Sequence, residues 1–575
     1  MSSFDDMIRR NQDARRARGF LTDMERVIGL PVVEHAEGGS KWTDTLRHDP
    51  AGPALRPIQE RALTEIARGG GLFGAIGVGH GKTLIGLFAG TVLQAKRPLL
   101  LCPPPLVDQM LTDADEWRKW YTFTPPAVVS YGILSTAKGT HLIEDYKPDL
   151  IIADEAHSLR RPTSARTKRV ARYLRQNPGT AFVALSGTMT SKSLFDFAHL
   201  LEWATRENCP IPGSYRSREQ WAAVLDTEGE ADRDAWIGFW PLVRWAFGAL
   251  RLPDDEESRK TTARRAFQKR LDKTAGVVLT TSGSCDASLY LAPAFVNIPD
   301  GVRRCLAHLQ NTWSLPDGTP LADGTAYARA ARQLSAGFYY VWEWPGGLAD
   351  LEWLDARSAW SRAVSHVLRY QSRAGLDSPL LVSQWVEAGN GSAELRTAWA
   401  AWSSVKHRPA PPTRAVWVDP FLVDFAESWQ ASQASPPLIW YASKAMHDAL
   451  KSRKIPTYGE GDTPPPPGTV AAVSVAVFSK GHNFQAWQNQ IILEPPSSGA
   501  IFEQLIGRTH RQGQTAGSVW VHIMQHARPF RKAVNKAQIE AQYIEATTGQ
   551  RQKLNFARWV SNTSRGGLSP NDKQQ

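Results

Sequence analysis

Short apolar runs alternate with helix-forming stretches between residues 72 and 190 of the chain. Four of these runs, LFGAI, PLLLC, DLIIAD and AFVAL, are strand-like, and each ends where small or polar residues begin. Buried parallel strands have this pattern, because both sheet faces are covered and functional residues gather at the strand ends. A second set, PLIWYAS, TVAAVSVAV, NQIILEP and SVWVHIM, follows late in the chain. The sequence therefore predicts an α/β fold with two parallel-sheet units.

The stretch from residue 300 to 425 has a different character, because many of its apolar positions are tryptophans at helical spacing. Segments such as ARSAWSRAVSHVLRYQ and AELRTAWAAWSSV predict helices inserted into the second unit. Tryptophans next to arginines also suit stacking on nucleic-acid bases, but the core of a helical insertion is the favoured interpretation. The tryptophans in and next to this stretch are Trp313, Trp342, Trp344, Trp353, Trp360, Trp385, Trp399, Trp402, Trp417 and Trp429.

The composition indicates a basic protein of more than one domain. The 67 Lys and Arg residues exceed the 56 Asp and Glu residues, so the formal charge is +11 and the pI is near 9.4. Such a surplus of positive charge favours a polyanion as partner, and nucleic acid is the commonest one. The length of 575 residues exceeds the size at which a single core keeps growing.

Cysteine usage and hydropathy exclude several other classes. The four cysteines have no paired spacing, which argues against zinc ribbons and disulfide frameworks and favours a reducing compartment. No apolar run reaches the roughly 18 residues that span a bilayer, so no membrane partner is expected. The N-terminal MSSFDDMIRRNQDARRARGF lacks the apolar core of a secretory signal. It predicts a helix that is solvated or contacts DNA.

The segment IGVGHGKT connects the strand-like LFGAI to a helix-like stretch. Its glycines allow backbone N–H groups to turn toward a phosphate, and they are Gly77, Gly79 and Gly81. Lys82 is placed to reach the β- and γ-phosphates of a nucleotide, and Thr83 is placed to bind Mg²⁺. Ile76 stands where the strict phosphate-loop pattern has glycine. A glycine-rich turn that binds no nucleotide is the alternative.

The segment DLIIADEAHSL supplies the acidic groups that phosphoryl transfer needs. Its apolar strand delivers Asp154 and Glu155 at the C-terminal end. Asp154 is placed to hold Mg²⁺ through water, and Glu155 is placed to orient and deprotonate the attacking water. Next along the chain, FVALSGTMT ends in Ser186 and Thr188. We expect these hydroxyls to hydrogen-bond His157 or nearby water and to relay the state of the nucleotide.

Together these segments resemble helicase superfamily two, and within it the Swi/Snf-type DNA-dependent ATPases. LRPIQ is similar to the segment that reads adenine, which places Gln59 against the base. LCPPPLVDQM and VVSYGILS resemble two loops that contact nucleic acid, and the resemblance assigns this role to Pro103, Ser130 and Tyr131. SKGHNFQ resembles a loop that contacts both nucleic acid and ATP, with Ser479 and Asn483 as its contacts.

EQLIGRTHRQGQ, residues 503–514, matches the final motif of this family at four positions, Gln504, Gly507, Arg508 and Arg511. The resemblance implies that Gln504 contacts the nucleotide. It also implies that Arg508 and Arg511, one helical turn apart, stabilise the transferring phosphoryl group. Surface arginines that pair with Glu503 are the alternative for this segment. The fold implied is two RecA-like domains with an ATP cleft between them and a helical tryptophan-rich insertion.

The implied function is an ATP- and Mg²⁺-dependent translocase or helicase that moves on nucleic acid. Duplex DNA is the favoured partner, single-stranded DNA is a possible one, and RNA is less favoured. The alternatives are an RNA helicase, since DEAH also occurs in that branch, and a catalytically weak nucleic-acid clamp. The absence of recognisable accessory modules favours the cytoplasm of a bacterial or phage-infected cell. Protein partners in replication, recombination or defence are not specified.

The expected organisation has four parts. An N-terminal extension covers 1–50, and the first motor domain covers 51–285. The second motor domain covers 286–545, with the helical insertion at 300–425 inside it. A C-terminal tail covers 546–575.

Overall fold

The computed structural model of the protein describes residues 23–34, 39–248, 253–280, 283, 285–370 and 376–560. The chain divides into two compact units. The first comprises Met1–Ser282, Trp344–Pro412 and Gln542–Arg551, and the second comprises Gly283–Glu343, Thr413–Ala541 and Gln552–Gln575. The helix predicted for the N-terminal residues 1–20 lies outside the described residues.

A six-stranded parallel sheet forms the centre of the first unit. Its strands are β1 (Leu72–Ala75), β2 (Pro98–Cys102), β3 (Ala127–Ser130), β4 (Leu150–Asp154), β5 (Ala181–Ser186) and β6 (Val277–Leu279). Their spatial order is β3-β2-β4-β5-β1-β6. The four early apolar runs correctly predicted β1, β2, β4 and β5, whose residues are almost all buried.

Alternate side chains of this sheet point to opposite faces and enter two separate cores. Phe73 and Leu99 belong to one core, and Leu72 and Leu100 belong to the other. Both faces are therefore apolar, which leaves the strand ends as the places where polar side chains concentrate. The helices of this part of the unit are Lys41–Leu46, Pro57–Gly69, Lys82–Val92, Val107–Trp117, Leu142–Tyr146, Ala165–Gln176, Ala198–Thr205, Tyr215–Leu225, Arg233–Phe247 and Glu256–Asp272.

A seven-stranded parallel sheet forms the centre of the second unit. Its strands are β7 (Ser288–Ala294), β10 (Leu438–Tyr441), β11 (Thr457–Tyr458), β12 (Ala471–Ser474), β13 (Asn489–Ile492), β14 (Ser518–Met524) and β15 (Arg558–Trp559). Their spatial order is β11-β12-β10-β13-β14-β7-β15. The four late apolar runs correctly predicted β10, β12, β13 and β14, so the prediction of two parallel sheets in an α/β protein is confirmed.

The second unit also contains a separate antiparallel pair, β8 (Phe338–Trp342) and β9 (Thr413–Trp417). Its helices are Asp300–Thr312, Gly324–Ser335, Phe421–Ala431, Lys444–Ser452, Val475–Phe478, Gly499–Thr509, Arg528–Thr548 and Lys553–Phe556. The last residues of Arg528–Thr548 are assigned to the first unit. No helix among the described residues is long and apolar enough to span a bilayer.

Three helices, Leu351–Tyr370, Pro379–Glu387 and Ala393–Val405, form a tryptophan-rich bundle. Trp353 and Trp360 are buried. Their rings pack against those of Trp402 and Trp399, at centroid distances of 5.8 and 4.7 Å. These tryptophans fill an apolar core, as the helical spacing predicted.

The bundle belongs to the first unit, because residues 344–412 are assigned there. This differs from the expected organisation, in which the whole of 300–425 was an insertion in the second domain. The C-terminal boundary differs as well. Arg558–Trp559 pairs with β7 as an edge strand, so this part of the predicted tail completes the second sheet.

A buried ion pair attaches the bundle to the first unit. The Nε and Nη2 atoms of Arg169 donate to both carboxylate oxygens of Asp377, at 3.0 and 2.9 Å. Arg169 also donates to the carbonyl oxygens of Leu134 and Thr136, at the end of the VVSYGILS segment and directly after it. Arg172 reaches the same carboxylate at 3.3 Å. The bundle and the loop after β3 are thus held by one guanidinium group.

We expect Asp377→Ala to lower the free energy of unfolding by about 3–5 kcal/mol, because it leaves the fully buried Arg169 without its carboxylate. Urea unfolding followed by tryptophan fluorescence measures the change. The matched control is Glu116→Ala, which removes an ion pair whose side chains are more than half exposed and costs about 1 kcal/mol or less. Equal effects of the two substitutions would contradict the anchoring role of Asp377.

Candidate nucleotide-binding site

The glycine loop leaves β1 and enters the helix Lys82–Val92 with two residues in the left-handed backbone region. Gly79 has a φ of 90° and Gly81 a φ of 73°. Side chains rarely adopt this conformation, and a Cβ atom on Gly81 would also lie 2.3 Å from Gln59 Nε2. These two glycines are therefore required by the turn that presents the start of the helix.

Ile76 occupies the position where the strict loop pattern has glycine, and its side chain is fully buried in the core. Its backbone N–H donates to Ser186 O at 3.1 Å. The isoleucine thus extends β1 along β5 by one hydrogen bond. Isoleucine in place of glycine at position 76 therefore affects the end of the strand and leaves the glycine turn unaltered.

Lys82 and Thr83 lie in the first turn of the helix, where backbone N–H groups and the helix dipole favour an anion. Lys82 Nζ donates to Gly77 O at 3.2 Å. A Cβ on Gly187 would lie 3.6 Å from Lys82 Nζ, so the lysine amine also reaches the SGT segment. The structure brings together the loop glycines, the lysine and the end of β5, as a phosphate site requires.

Gln59 supports this loop from the neighbouring helix Pro57–Gly69. Its Nε2 atom donates to Gly81 O at 3.1 Å, and its Oε1 atom accepts from Arg56 N at 2.8 Å. Gln59 is thus placed beside the glycine turn.

Sequence reasoning missed two residues that hold the same loop. Arg56 Nη1 donates to Gly79 O at 2.6 Å, and Thr280 Oγ1 accepts from Gly77 N at 2.9 Å. Arg56 lies within the LRPIQ segment, which was a signal that could have identified it. Thr280 follows β6, and only the sheet order brings it next to β1.

Asp154 ends β4 and is almost completely buried. Its Oδ1 atom has no hydrogen-bond partner among the described residues. Burial, followed by the negative charge of Glu155, raises the pKa of this carboxyl group, and Lys82 opposes the rise. An unpartnered carboxylate oxygen next to a phosphate-type loop fits a hydrated Mg²⁺ ion.

No group of three or more His, Cys, Asp or Glu in the described part of the chain could by itself hold a metal ion. Mg²⁺ commonly binds through one or two carboxylates together with water and substrate phosphates. Asp154 and Thr83 are therefore sufficient protein groups for such an ion. The residues present fit Mg²⁺ bound with a nucleotide and do not form a cage for Mg²⁺ alone.

Glu155 has a φ of 49°, which is uncommon for a residue with a side chain. Backbone strain of this kind often marks functional positions. Its Oε2 atom lies 3.2 Å from His157 Nδ1, and the same nitrogen lies 3.1 Å from Ser186 Oγ. Ser186 Oγ also accepts from Thr188 N at 3.1 Å. The predicted contact between Ser186 and His157 is thus present, and it connects β5 to the residues after β4.

Thr188 lies in the same buried region, but its hydroxyl contacts differ from the expectation. Thr188 Oγ1 has no hydrogen-bond partner within the described part of the chain. Its backbone N–H, by contrast, is bound by Ser186. The link between the SGT segment and His157 therefore runs through Ser186.

Two of the three predicted nucleic-acid contacts of the first unit lie at the ends of β2 and β3, and all three are buried. Tyr131 is 1% exposed, and its hydroxyl donates to Asp154 O at 2.8 Å. This side chain supports the acidic strand end and offers no surface to a nucleic acid. Pro103 and Ser130 are also buried, and Ser130 Oγ accepts from Ile133 N at 3.3 Å. The structure therefore assigns Tyr131 a supporting role beside Asp154.

In the second unit, the arginines contact the SKGHNFQ loop. Arg508 is buried, and its Nη1 atom donates to His482 O at 3.0 Å. Arg511 donates to Asn483 Oδ1. The helix Gly499–Thr509 ends before Arg511, so the expectation of two arginines one helical turn apart is wrong for the second of them.

The other motif residues of this unit are enclosed. Gln504 and Ser479 are each 4% exposed. Glu503 accepts from Lys553 Nζ at 2.7 Å. Among the described residues it forms no ion pair with Arg508 or Arg511, so the alternative in which the arginines pair with Glu503 is not observed. Arg508 positions the loop around Gly481, and Arg511 lies nearer the surface beside Asn483.

No protein-family model matches the chain, and no curated protein matches it at a significant level.

We expect Asp154→Asn to stabilise the free protein by about 1 kcal/mol or more, since each pKa unit corresponds to about 1.4 kcal/mol. The folded state binds the Asp154 proton more tightly than the unfolded state, so wild-type stability falls as pH rises from the ordinary carboxyl range through the raised pKa. The gain should therefore be larger at pH 8 than at pH 5. Thermal unfolding at both pH values measures it.

The control for this substitution is Asp108→Asn, which changes an exposed aspartate of the same unit and is expected to shift stability by about 0.5 kcal/mol or less. A loss of stability in Asp154→Asn at pH 8 would contradict the interpretation of Asp154 as a buried carboxylate kept for a ligand.

Proposed function

We propose that the protein is a nucleic-acid-stimulated ATPase that couples ATP hydrolysis to movement along nucleic acid, with duplex DNA as the favoured track. One observation carries the proposal. The buried Oδ1 of Asp154 has no hydrogen-bond partner among the described residues, and it lies at the end of β4. Lys82, whose positive charge lowers the pKa of this carboxyl group, begins the helix that follows the glycine turn. A carboxylate, a lysine and a helix N-terminus are the groups that bind Mg²⁺ and nucleotide phosphates.

The residues of the first unit have distinct roles in this proposal. The N–H groups of the glycine turn and Lys82 bind the phosphates, and Thr83 and Asp154 hold the ion through water. When bound, Mg²⁺ neutralises charge on the phosphates. Glu155 orients and deprotonates the attacking water, while His157 and Ser186 keep its carboxylate in place.

The order of motifs supports placing the chain near the Swi/Snf-type ATPases of helicase superfamily two. The two parallel sheets are compatible with two RecA-like domains. In this family likeness, Arg508 and Arg511 stabilise charge in the transition state, and Gln59 and Gln504 contact the nucleotide. The formal charge of +11 supports contact with nucleic-acid phosphates, which does not depend on base sequence. For contact with DNA, Asn483 is better exposed than the buried Ser479.

We expect steady-state ATP hydrolysis at fixed ionic strength to be stimulated most by duplex DNA. Lys82→Ala is expected to reduce hydrolysis by about 10²–10³-fold, because it removes a charge aimed at the transferring phosphoryl group. Lys96→Ala, which changes an exposed lysine of the same unit, is the control and should retain activity. Stimulation by structured RNA alone would favour the RNA helicase. Absence of hydrolysis with any nucleic acid would favour the clamp.

Arg511→Ala is expected to leave ATP affinity within a few-fold of wild type and to reduce hydrolysis by about 10³-fold, as for other arginines that act on the transition state. Equilibrium binding of a fluorescent nucleotide and single-turnover hydrolysis separate the two effects. Arg414→Ala removes an exposed arginine of the same unit and is the control. Parallel loss of binding and hydrolysis would assign Arg511 a structural role through its bond to Asn483.

A further inference from the structure

The second unit contains a cavity of about 810 Å³ that none of the predicted motifs lines. Its walls come from the helices Asp300–Thr312 and Gly324–Ser335 and from the first two turns of Arg528–Thr548. Ligand pockets in proteins commonly have volumes of about 300–1,000 Å³. The cavity is therefore large enough for a small ligand or a short part of a flexible chain.

The charge of the lining is of one sign. Six cationic side chains contribute to it, and no Asp or Glu does. The six are Arg303, Arg332, Arg528, Arg531, Lys532 and Lys536. Two acidic groups lie nearby: Asp300 pairs with Arg303 at 3.3 Å, and Glu494 interacts with Arg332. The other four cations have no ion pair in the described part of the chain, which suits an anion with several charges.

Arg332 is the most enclosed of these cations. No hydrogen bond or ion pair of its guanidinium group is found in the described part of the chain, and it is only partly exposed. Glu494 does not replace such a partner, because its carboxylate accepts from the N–H groups of Ala442 and Ser443 at 2.8 and 3.0 Å. Partial burial of a guanidinium group without a hydrogen-bond acceptor costs some free energy, which a bound phosphate would recover.

The charges on helix Arg528–Thr548 run against the helix dipole. The N-terminal end of a helix carries partial positive charge and favours acidic side chains. This helix has no acidic residue in its first turn, and Arg528, Arg531 and Lys532 lie within its first five residues. Such an arrangement is unfavourable in the free protein and becomes favourable when an anion binds. Local conflicts of this kind are expected at functional sites.

Aromatic side chains add a second chemistry at the same cavity. Trp313 is 50% exposed, which is unusual for so large an apolar side chain. Its ring packs against Tyr327 with a centroid distance of 4.8 Å, and both residues line the cavity. Proteins that bind single strands combine cations for the phosphates with aromatic rings on which bases stack.

We propose that this cavity binds a short part of a single strand of nucleic acid, with its phosphates on the cations of the lining and a base against Trp313. The proposal rests on the proposed function only in taking nucleic acid as the partner. A free inorganic anion would account for the cations and not for the exposed tryptophan. A rigid duplex presents few free base faces for stacking, whereas a single strand presents its bases.

The test is fluorescence anisotropy of a labelled oligothymidylate of about 20 nucleotides, several times the shortest site sizes of single-strand binding folds, with the full chain and without ATP. Lys532→Gln/Lys536→Gln is expected to weaken binding at least fivefold. It should also reduce the slope of log K against log salt by about 1.4, because two phosphate contacts are lost. Both lysines are exposed, so neither change disturbs the core.

The charge-matched control is Lys444→Gln/Lys451→Gln, which changes two exposed lysines on a helix of the same unit that does not line the cavity. It should leave the dissociation constant within twofold of wild type. Equal weakening by the two double variants would overturn the proposal, because the binding would then reflect net charge alone.

Trp313→Ala is expected to weaken binding about tenfold, and Trp313→Phe should retain most of the affinity, because phenylalanine keeps a stacking face. Unchanged binding in Trp313→Ala would overturn the stacking part of the proposal. Displacement of the oligonucleotide by inorganic phosphate at matched phosphate concentration would overturn the single-strand assignment in favour of a small-anion site.

Two measurements separate this proposal from the proposed function. Lys82→Ala should bind the oligonucleotide like wild type, because Lys82 belongs to the other unit. The lysine double variant should retain basal ATP hydrolysis measured without nucleic acid. A protein that binds the oligonucleotide through the cavity and hydrolyses no ATP would keep this inference and refute the ATPase. The opposite pattern would refute the cavity site alone.

Discussion

The buried carboxyl group of Asp154 is the constraint on which the candidate site depends. A buried carboxylate at the end of an apolar strand is costly unless it is partnered, and one oxygen of Asp154 has no hydrogen-bond partner in the part of the chain that the structure describes. The free energy of packing on both faces of the sheet offsets this cost in the first unit. Lys82 lies close enough to oppose the rise in its pKa, and Tyr131 binds the backbone carbonyl of the same residue. The groups of the candidate site are therefore already arranged around Asp154 in the ligand-free fold.

The surroundings of Asp154 explain why its neighbours have the conformations that they do. Glu155 follows the strand with a left-handed backbone, which turns its carboxylate toward His157 and Ser186. Gly79 and Gly81 have the same left-handed conformation for a different reason, since they expose the helix start. Buried charge and local backbone strain thus occur together at the carboxyl ends of the strands. They lie at the groups that the proposed hydrolysis uses.

The second unit carries an analogous cost at its surface. Arg528, Arg531 and Lys532 crowd the positive end of a helix, and Arg332 is partly withdrawn from water without a hydrogen-bond partner in the described part of the chain. In both units the unfavourable arrangement concerns charge, and in both it fits a ligand of the opposite sign.

The sequence by itself determined the α/β class, eight of the strands and most residues around the glycine turn. The spacing of apolar residues and the residue types that form turns are local properties of the chain. It also predicted the contact of His157 with Ser186, since adjacent parallel strands bring their ends together. Only the tertiary structure decided that Tyr131 is a supporting core residue, that residues 344–412 belong with the first unit, and that Arg56 and Thr280 hold the loop. Two of these features, the contact of Thr280 with Gly77 and the Arg169–Asp377 ion pair, join residues about 200 positions apart in the chain. Local pattern cannot specify such pairings, because many arginines and aspartates are available and only packing selects the two that meet.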